Sequence, residues 1–284
     1  MSPNQPGFSD RNPPPSNRQL LILFGIFLAF AAVVIWLLSW LISGLIDLIP
    51  ISFEHKVGNL IVPVYEQQAE PSPTQETLNT LLNRLEENLD SDFKQNRGFQ
   101  VLYIPQDTVN AIAIPGDTIV LYQGLLEQVQ SENELMMVLG HELGHFAHRD
   151  HLRKLGRVLL VRMAIAYFLG DTSALQSVAS TAGTAIANAQ YSQSQEQQAD
   201  AFGLALLYDT YGHVAGATDF FQRLSEQEKR NLAFLSTHPA PKKRVRELQQ
   251  LIQEKNYPIE TRSPLPETLT KEINFLPSSL RKRN

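Results

Sequence analysis

The 284-residue chain contains no cysteine. That removes disulfides, thiolate catalysis and cysteine metal sites together. It does not assign a compartment, because a cysteine-free chain suits reducing and oxidising surroundings alike. Positive charge is not in excess either: 24 Lys and Arg stand against 29 Asp and Glu, a net charge of −5. Bulk electrostatics therefore give no reason to expect a nucleic-acid partner. Internal repeats are absent. The last absence is local. Leu20 to Ile42, LLILFGIFLAFAAVVIWLLSWLI, runs for 23 residues without a charge.

About 20 apolar residues suffice to cross a bilayer core as a helix. A cleaved signal peptide would have a shorter apolar stretch followed by a small-residue cleavage site, and neither fits. Residues 20–42 are therefore expected to be an uncleaved single-pass anchor, with Trp36 and Trp40 near its far interface. Arg11 and Arg18 precede the span, and only Lys56 is basic just after it. The positive-inside rule then puts the bulk of the chain outside the cytoplasm.

What remains has globular composition, 43% hydrophobic and 19% charged. Residues 1–19, with Pro13 to Pro15, read as a disordered tail. Residues 43–73 read as a juxtamembrane linker, 74–260 as the main domain and 261–284 as a loose tail. Within the main domain, Gln75 to Leu89 has helical apolar spacing. Phe99 to Ile104, Val109 to Ile114 and Thr118 to Tyr122 read as strands, the last two joined by a Pro115-Gly116-Asp117 turn. Ser131 and Glu134 form a capping-box pattern opening a helix. Residues 155–187 are expected to be largely helical, as core or membrane-surface structure. Further helices are expected at Tyr191 to Tyr208, Ser225 to Leu235 and Arg244 to Lys255.

The chemistry is concentrated in His141-Glu142-Leu143-Gly144-His145. Residues four apart lie on one helix face, so the two imidazoles can converge on one zinc ion. Glu142 stands beside the open coordination position. There it can take a proton from the activated water and deliver it to the leaving amine. The bare pattern is weakly specific, and a surface helix with two solvated histidines would match it. A catalytic zinc also needs a third protein ligand. SQSQEQQADA, residues 192–201, offers Glu196 for that place. Asp200, one turn on, can orient a ligand histidine through its second nitrogen. A competing third ligand is His151, placed as in HExxHxxGxxH peptidases. His148 stands where that class has the helix-breaking glycine, so the helix is expected to continue and to carry His151 off the metal face.

Four ordered motifs resemble the membrane-associated zinc peptidases that include HtpX, BepA and the CAAX prenyl endopeptidase. They are NAIAIPGDTIVLYQGLLE from Asn110 to Glu127, HELGH with HRDH after it, EQQAD from Glu196 to Asp200, and STHPAPKKR from Ser236 to Arg244. The resemblance implies a gluzincin-like zinc peptidase domain, α+β but mainly α. A small three-stranded sheet would lie beside the HExxH helix. It implies one zinc ion held by His141, His145 and Glu196, with Glu142 as the base. His238 would stabilise the oxyanion, and Arg244 would position that loop or pair with a carboxylate. The strand Asn110, Ala111, Ile112, Ala113 would take an extended peptide by strand addition. The substrates implied are polypeptides, chiefly misfolded membrane or envelope proteins, in quality control. HtpX and the prenyl endopeptidase are multi-span proteins, whereas one clear span here is more similar to single-anchor members. The rival expectation is a catalytically quiet client-binding or assembly factor on the same fold.

Overall fold

The computed structural model describes residues 15–169, 190–226 and 233–275. The chain divides after Leu45 into two units. The first is built on a helix, α1 (Asn17–Ile46), whose Asn17–Leu38 portion is long and apolar enough to cross a membrane. The helix begins inside the stretch expected to be a tail. Residues 1–14 of that stretch, and 170–187 of the expected helical region, lie outside the described residues.

The second unit opens with α2 (Ile51–Glu66), where a linker was expected. Its Glu54, Gly58, Ile61 and Tyr65 recur at helical spacing and are buried, so one face belongs to the fold. Next comes α3 (Pro73–Glu86). The Ser72 hydroxyl accepts from the Gln75 amide and proline occupies the first turn, which is favourable chemistry at a helix start. Leu78, Leu81, Leu82 and Leu85 form its buried stripe. A short turn of helix, α4 (Ser91–Lys94), leads into the sheet.

Strands β1 (Gln100–Ile104), β2 (Ala111–Ile114) and β3 (Thr118–Tyr122) lie in the order β1-β3-β2. β1 runs parallel and β2 antiparallel to β3, with Ile114 opposite Thr118. Gly116 and Asp117 in the hairpin turn both have positive φ, 92° and 53°, which suits glycine and is tolerated by aspartate. The outer edge of β1 is capped by side chains. Gln75 and Asn79 of α3 each donate to the Val101 carbonyl and accept backbone N–H bonds, from Tyr103 at 2.7 Å and Val101 at 2.9 Å. Those amides stand in for a neighbouring strand, which leaves β2 as the other edge.

After α5 (Gln123–Leu126), the helix α6 (Glu132–Ala147) runs through the centre and is buried from Asn133 to Phe146. The Ser131 hydroxyl accepts from the Glu134 amide as expected. The Glu134 carboxylate accepts instead from the Gln130 amide and pairs with Arg223, so the reciprocal half of the capping box is displaced by one residue. α6 ends at Ala147, although it was expected to continue. His148 caps it and Arg149 has φ 53°, a left-handed residue that turns the chain into α7 (Asp150–Leu169) without a glycine.

α8 (Gln193–Tyr211) starts with a complete capping box at Ser192 and Gln195 and ends at the left-handed Gly212. It crosses α6 almost backbone to backbone. A Cβ on Gly144 would stand 2.8 Å from Ala199 Cα, and one on Gly203 would stand 2.8 Å from the His141 nitrogen. Small residues at that crossing bring Glu196 and Asp200 against α6. The chain closes with α9 (Asp219–Glu226), α10 (Ala233–Thr237), α11 (Pro241–Lys255) and α12 (Glu267–Phe275). α12 lies within the expected loose tail. Its Leu269 is wholly buried in the main core, and Thr268 and Glu272 hydrogen-bond Thr77 and Tyr103.

Candidate active site

The residues expected at the site meet at one point. Among the described residues, His141, His145, Glu196 and His238 bring ligand atoms within 4.8 Å of one another, all four side chains buried. The ε nitrogens of His141 and His145 are 3.2 Å apart. Glu196 carboxylate oxygens lie 3.4 Å from the His145 and 3.8 Å from the His141 ε nitrogen. His238 Nδ1 is 3.2 Å from His141 Nε2 and 3.0 Å from Glu196 Oε1. Two nitrogens each about 2.1 Å from one zinc ion, at a tetrahedral angle, would be about 3.4 Å apart. The cluster has the size of a zinc coordination shell.

The tautomers agree. His145 Nδ1 lies 3.0 Å from Asp150 Oδ2, and His141 Nδ1 lies 3.0 Å from Asp200 Oδ1. Each carboxylate takes the δ proton and leaves the ε lone pair turned inward. Two lone pairs 3.2 Å apart in a buried site repel unless a cation or a shared proton lies between them. The donor set therefore fits zinc, with two imidazoles, a carboxylate and further carboxylates behind the imidazoles.

Several groups hold this arrangement. Gln195 donates to Asp150 Oδ1 at 2.6 Å, tying the start of α8 to the turn after α6. Arg244 of α11 makes a two-pronged pair with Asp200, at 2.7 and 2.6 Å, and its third nitrogen lies 2.6 Å from Glu196 Oε2. That is the carboxylate pairing expected of Arg244. Tyr191 stacks on His145 at 3.8 Å, and Phe234 stacks on His238 at 4.4 Å. Asn110 Oδ1 accepts from the Thr237 hydroxyl at 3.4 Å, linking the head of β2 to the His238 turn. Ala111, Ile112 and Ala113 follow along β2, all fully buried, the two alanines in the core that includes α6 and Ile112 in the cluster with Ile61 and Tyr65 of α2.

Electrostatics sort the site into tied and untied groups. Burial would raise the Glu196 carboxyl, but His238, Arg244 and His145 hold it far below the usual range. Asp200 is likewise low through Arg244 and His141, against its burial. Burial would lower His145, yet Asp150 and Glu196 raise it to about 9. Burial pushes His238 down to about 4, and His141 falls through burial and Arg244. Glu142 is different. Its carboxylate is wholly buried and neither oxygen has a hydrogen-bond partner among the described groups. Nearby, the Lys154 ammonium is buried without a hydrogen bond, 4.1 Å from the Tyr191 ring centroid, and burial lowers it to about 8.

His151 does not join the cluster. It is buried, with its ε nitrogen 2.6 Å from Glu54 of α2. His148 donates at its own helix end, its δ nitrogen 2.8 Å from the Gly144 carbonyl. Asp150, Tyr191 and Lys154 are the residues sequence reasoning missed. Asp150 stood inside the quoted HRDH string and had a signal. Tyr191 and Lys154 had none.

The sequence profile of peptidase family M48 matches residues 72–252, well over half of the chain. The chain belongs to peptidase family M48. It is similar to metalloprotease LoiP of Escherichia coli K12, 33% identical over 177 residues, or 60% of this chain and 68% of the relative. It is also similar to the beta-barrel assembly-enhancing protease of Yersinia pestis, 29% identical over 59% of this chain and 37% of that protein. Mitochondrial metalloendopeptidase OMA1 of Arabidopsis thaliana is 28% identical over 54% of the chain and 31% of its own length. The alignment thus spans about a third of the latter two relatives. As an M48 member the chain is a zinc metalloendopeptidase, and the metal centre lies wholly inside the matched region.

Proposed function

We propose that the chain is a membrane-anchored endopeptidase with one zinc ion, held by His141, His145 and Glu196, and with Glu142 as general base. The observation that carries this reading is the Glu142 carboxylate, buried without a hydrogen bond beside two imidazoles tied back by Asp150 and Asp200. A buried carboxylate without hydrogen bonds costs free energy, and such costs are kept where the group has work to do. Zinc, when bound, supplies a Lewis acid that polarises the scissile carbonyl and acidifies a water. Glu142 accepts the proton of the attacking water and returns it to the leaving amine. Asp150 and Asp200 keep the two imidazoles oriented, and Arg244 keeps Asp200 and Glu196 in place.

His238 donates to the developing oxyanion. Its δ nitrogen lies 3.0 Å from Glu196 Oε1, inside the cluster, so that role would require the imidazole to stand beside the metal position and not in it. Its ε nitrogen, 3.7 Å from Glu142 Oε1, has no hydrogen-bond partner. Substrate polypeptide adds to the β2 edge at Asn110 to Ala113. That edge is buried, so the peptide enters only as its cover moves. By analogy with the assembly-enhancing relative, we assign it misfolded envelope or membrane proteins as substrates. The catalytic unit then lies outside the cytoplasm.

The test uses the purified full chain, the Glu142→Gln variant and the His238→Ala variant. Zinc content and cleavage of unfolded casein are measured in parallel. Equal zinc in all three is expected. Cleavage by the parent should be abolished by chelator and reduced about 10²–10⁴-fold by Glu142→Gln. His238→Ala should keep zinc and lose rate. If Glu142→Gln cut nothing yet restored every function in cells, the domain would be a client-binding or assembly factor.

A further inference from the structure

α2 carries more apolar surface than the fold uses. Its buried row is Glu54, Gly58, Ile61 and Tyr65. One residue back, a second row runs through Phe53, Val57, Leu60 and Val64, at the i, i+4, i+7 and i+11 spacing of a single helix face. Phe53 is 52%, Leu60 66% and Val64 40% exposed, and Val57 is half-buried. Beyond that row lies a polar strip of Ser52, Lys56 and Asn59, all exposed. A scattered exposed leucine needs no explanation, whereas an aligned apolar row between a buried and a polar face does.

We propose that this row docks on the lipid bilayer surface, so that α2 lies in the membrane interface as an amphipathic helix. The inference rests on reading α1 as the membrane anchor. Thirty helical residues are about 45 Å long, the thickness of a bilayer with both headgroup layers. Four residues separate Ile46 from Ile51, and extended they reach about 14 Å at most. The start of α2 therefore cannot leave the neighbourhood of the headgroups. Leu48 in that connection is 77% exposed, which continues the apolar surface. An apolar row flanked by a polar strip with a lysine is the pattern that lies in an interface. The connection is also fixed to the catalytic unit. Arg149 donates to the Ile46 carbonyl at 2.9 Å, Arg153 pairs with Asp47 at 2.5 Å, and Glu54 binds His151, Arg149 and Arg97. A bilayer that holds α2 consequently sets the orientation of the metal centre towards the membrane.

The chain has no cysteine, so single cysteines introduced into the full-length protein can be spin-labelled cleanly. The set is Phe53→Cys, Leu60→Cys and Val64→Cys on the apolar row, Ser52→Cys, Lys56→Cys and Asn59→Cys on the polar strip, and Phe30→Cys in α1. Each labelled protein is reconstituted into vesicles of phosphatidylcholine and phosphatidylglycerol. Collision rates with oxygen, which partitions into lipid, and with a water-soluble nickel chelate are then compared. The oxygen-to-nickel ratio should be several-fold higher at 53, 60 and 64 than at 52, 56 and 59. Equal, water-like ratios along α2 with a lipid-like Phe30 label would overturn the docking and leave the anchor standing. A water-like Phe30 label would overturn the anchor and the docking together. Exclusion of both reagents at 53, 60 and 64, with dipolar coupling between labels, would overturn it in favour of a second copy of the chain.

Discussion

Asp150 reaches His145 only because Arg149 adopts the left-handed conformation, so the contact joins residues five apart across a helix break. Its carboxylate holds the δ proton of His145 and is itself held by Gln195. Asp150→Asn should therefore keep the fold and weaken zinc binding. Loss of such a partner behind a ligand typically costs 10–100-fold in metal affinity. Competition with a chelator of known affinity measures it, and undiminished zinc binding would leave Asp150 without a role at the metal. Lys154 permits a prediction with a sign. Its folded pKa is about 8, below the ordinary 10.5. Between those values the unfolded chain binds the extra proton, so stability rises with pH there, and below pH 8 the buried cation burdens the fold. Lys154→Met should raise the melting temperature at pH 7, by an amount on the order of 3 kcal/mol at most. The gain should vanish near pH 10.5. A gain independent of pH would place its cause in packing instead of charge.

At the scale of elements, the crossing of α6 and α8 is decided by missing side chains. Gly203 has no room for a Cβ, which would meet the His141 nitrogen at 2.8 Å and the Gly140 carbonyl carbon at 3.0 Å. Those atoms are backbone and cannot swing aside. Gly203→Ala should therefore push α8 away from α6 and draw Glu196 off the two histidines. Overpacking of this kind costs about 1–3 kcal/mol, and here zinc affinity should fall with stability. Thermal melts and chelator competition on the same preparation test the coupling. A variant that melted earlier but bound zinc normally would show that α8 can shift without moving Glu196. This crossing was only half visible in the sequence. HELGH and EQQAD name the proposed ligands, and the capping signals at Ser131 and Ser192 mark where their helices start. That Gly140, Gly144, Ala199 and Gly203 interlock depends on which faces meet, and no local spacing states it. The turn at Arg149 was hidden because no glycine marks it. α2 was hidden because its three faces mix apolar and polar residues, with Pro63 inside, so no single period stands out. α12 lay unseen in proline-rich sequence because one buried leucine is too little pattern to read.

At the scale of the whole molecule, one buried carboxylate joins α2 to the turn that follows α6. Glu54 receives His151 at 2.6 Å, Arg97 at 3.2 Å with both nitrogens, and Arg149 at 3.3 Å. Arg97 also pairs with Asp117 of the hairpin turn, where Gly58 of α2 packs on Gly116. Burial would raise the Glu54 carboxyl, but His151 and Arg97 hold it far below the ordinary range. A depressed carboxyl contributes stability that is complete above its unfolded pKa, near 4.3, and is lost as pH falls towards the folded value. Glu54→Gln leaves two arginines and a histidine around a neutral amide, and breaking a buried pair costs about 3–5 kcal/mol. The variant should melt well below the parent at pH 7, and the gap should narrow as pH falls below 4. Because Arg149 and His151 flank Asp150, the loss should extend to zinc affinity at pH 7 even though Glu54 touches no ligand. Zinc binding unchanged in a destabilised Glu54→Gln protein would confine the cluster to the fold. Weakened binding would mean that α2 and the metal centre act as one mechanical unit.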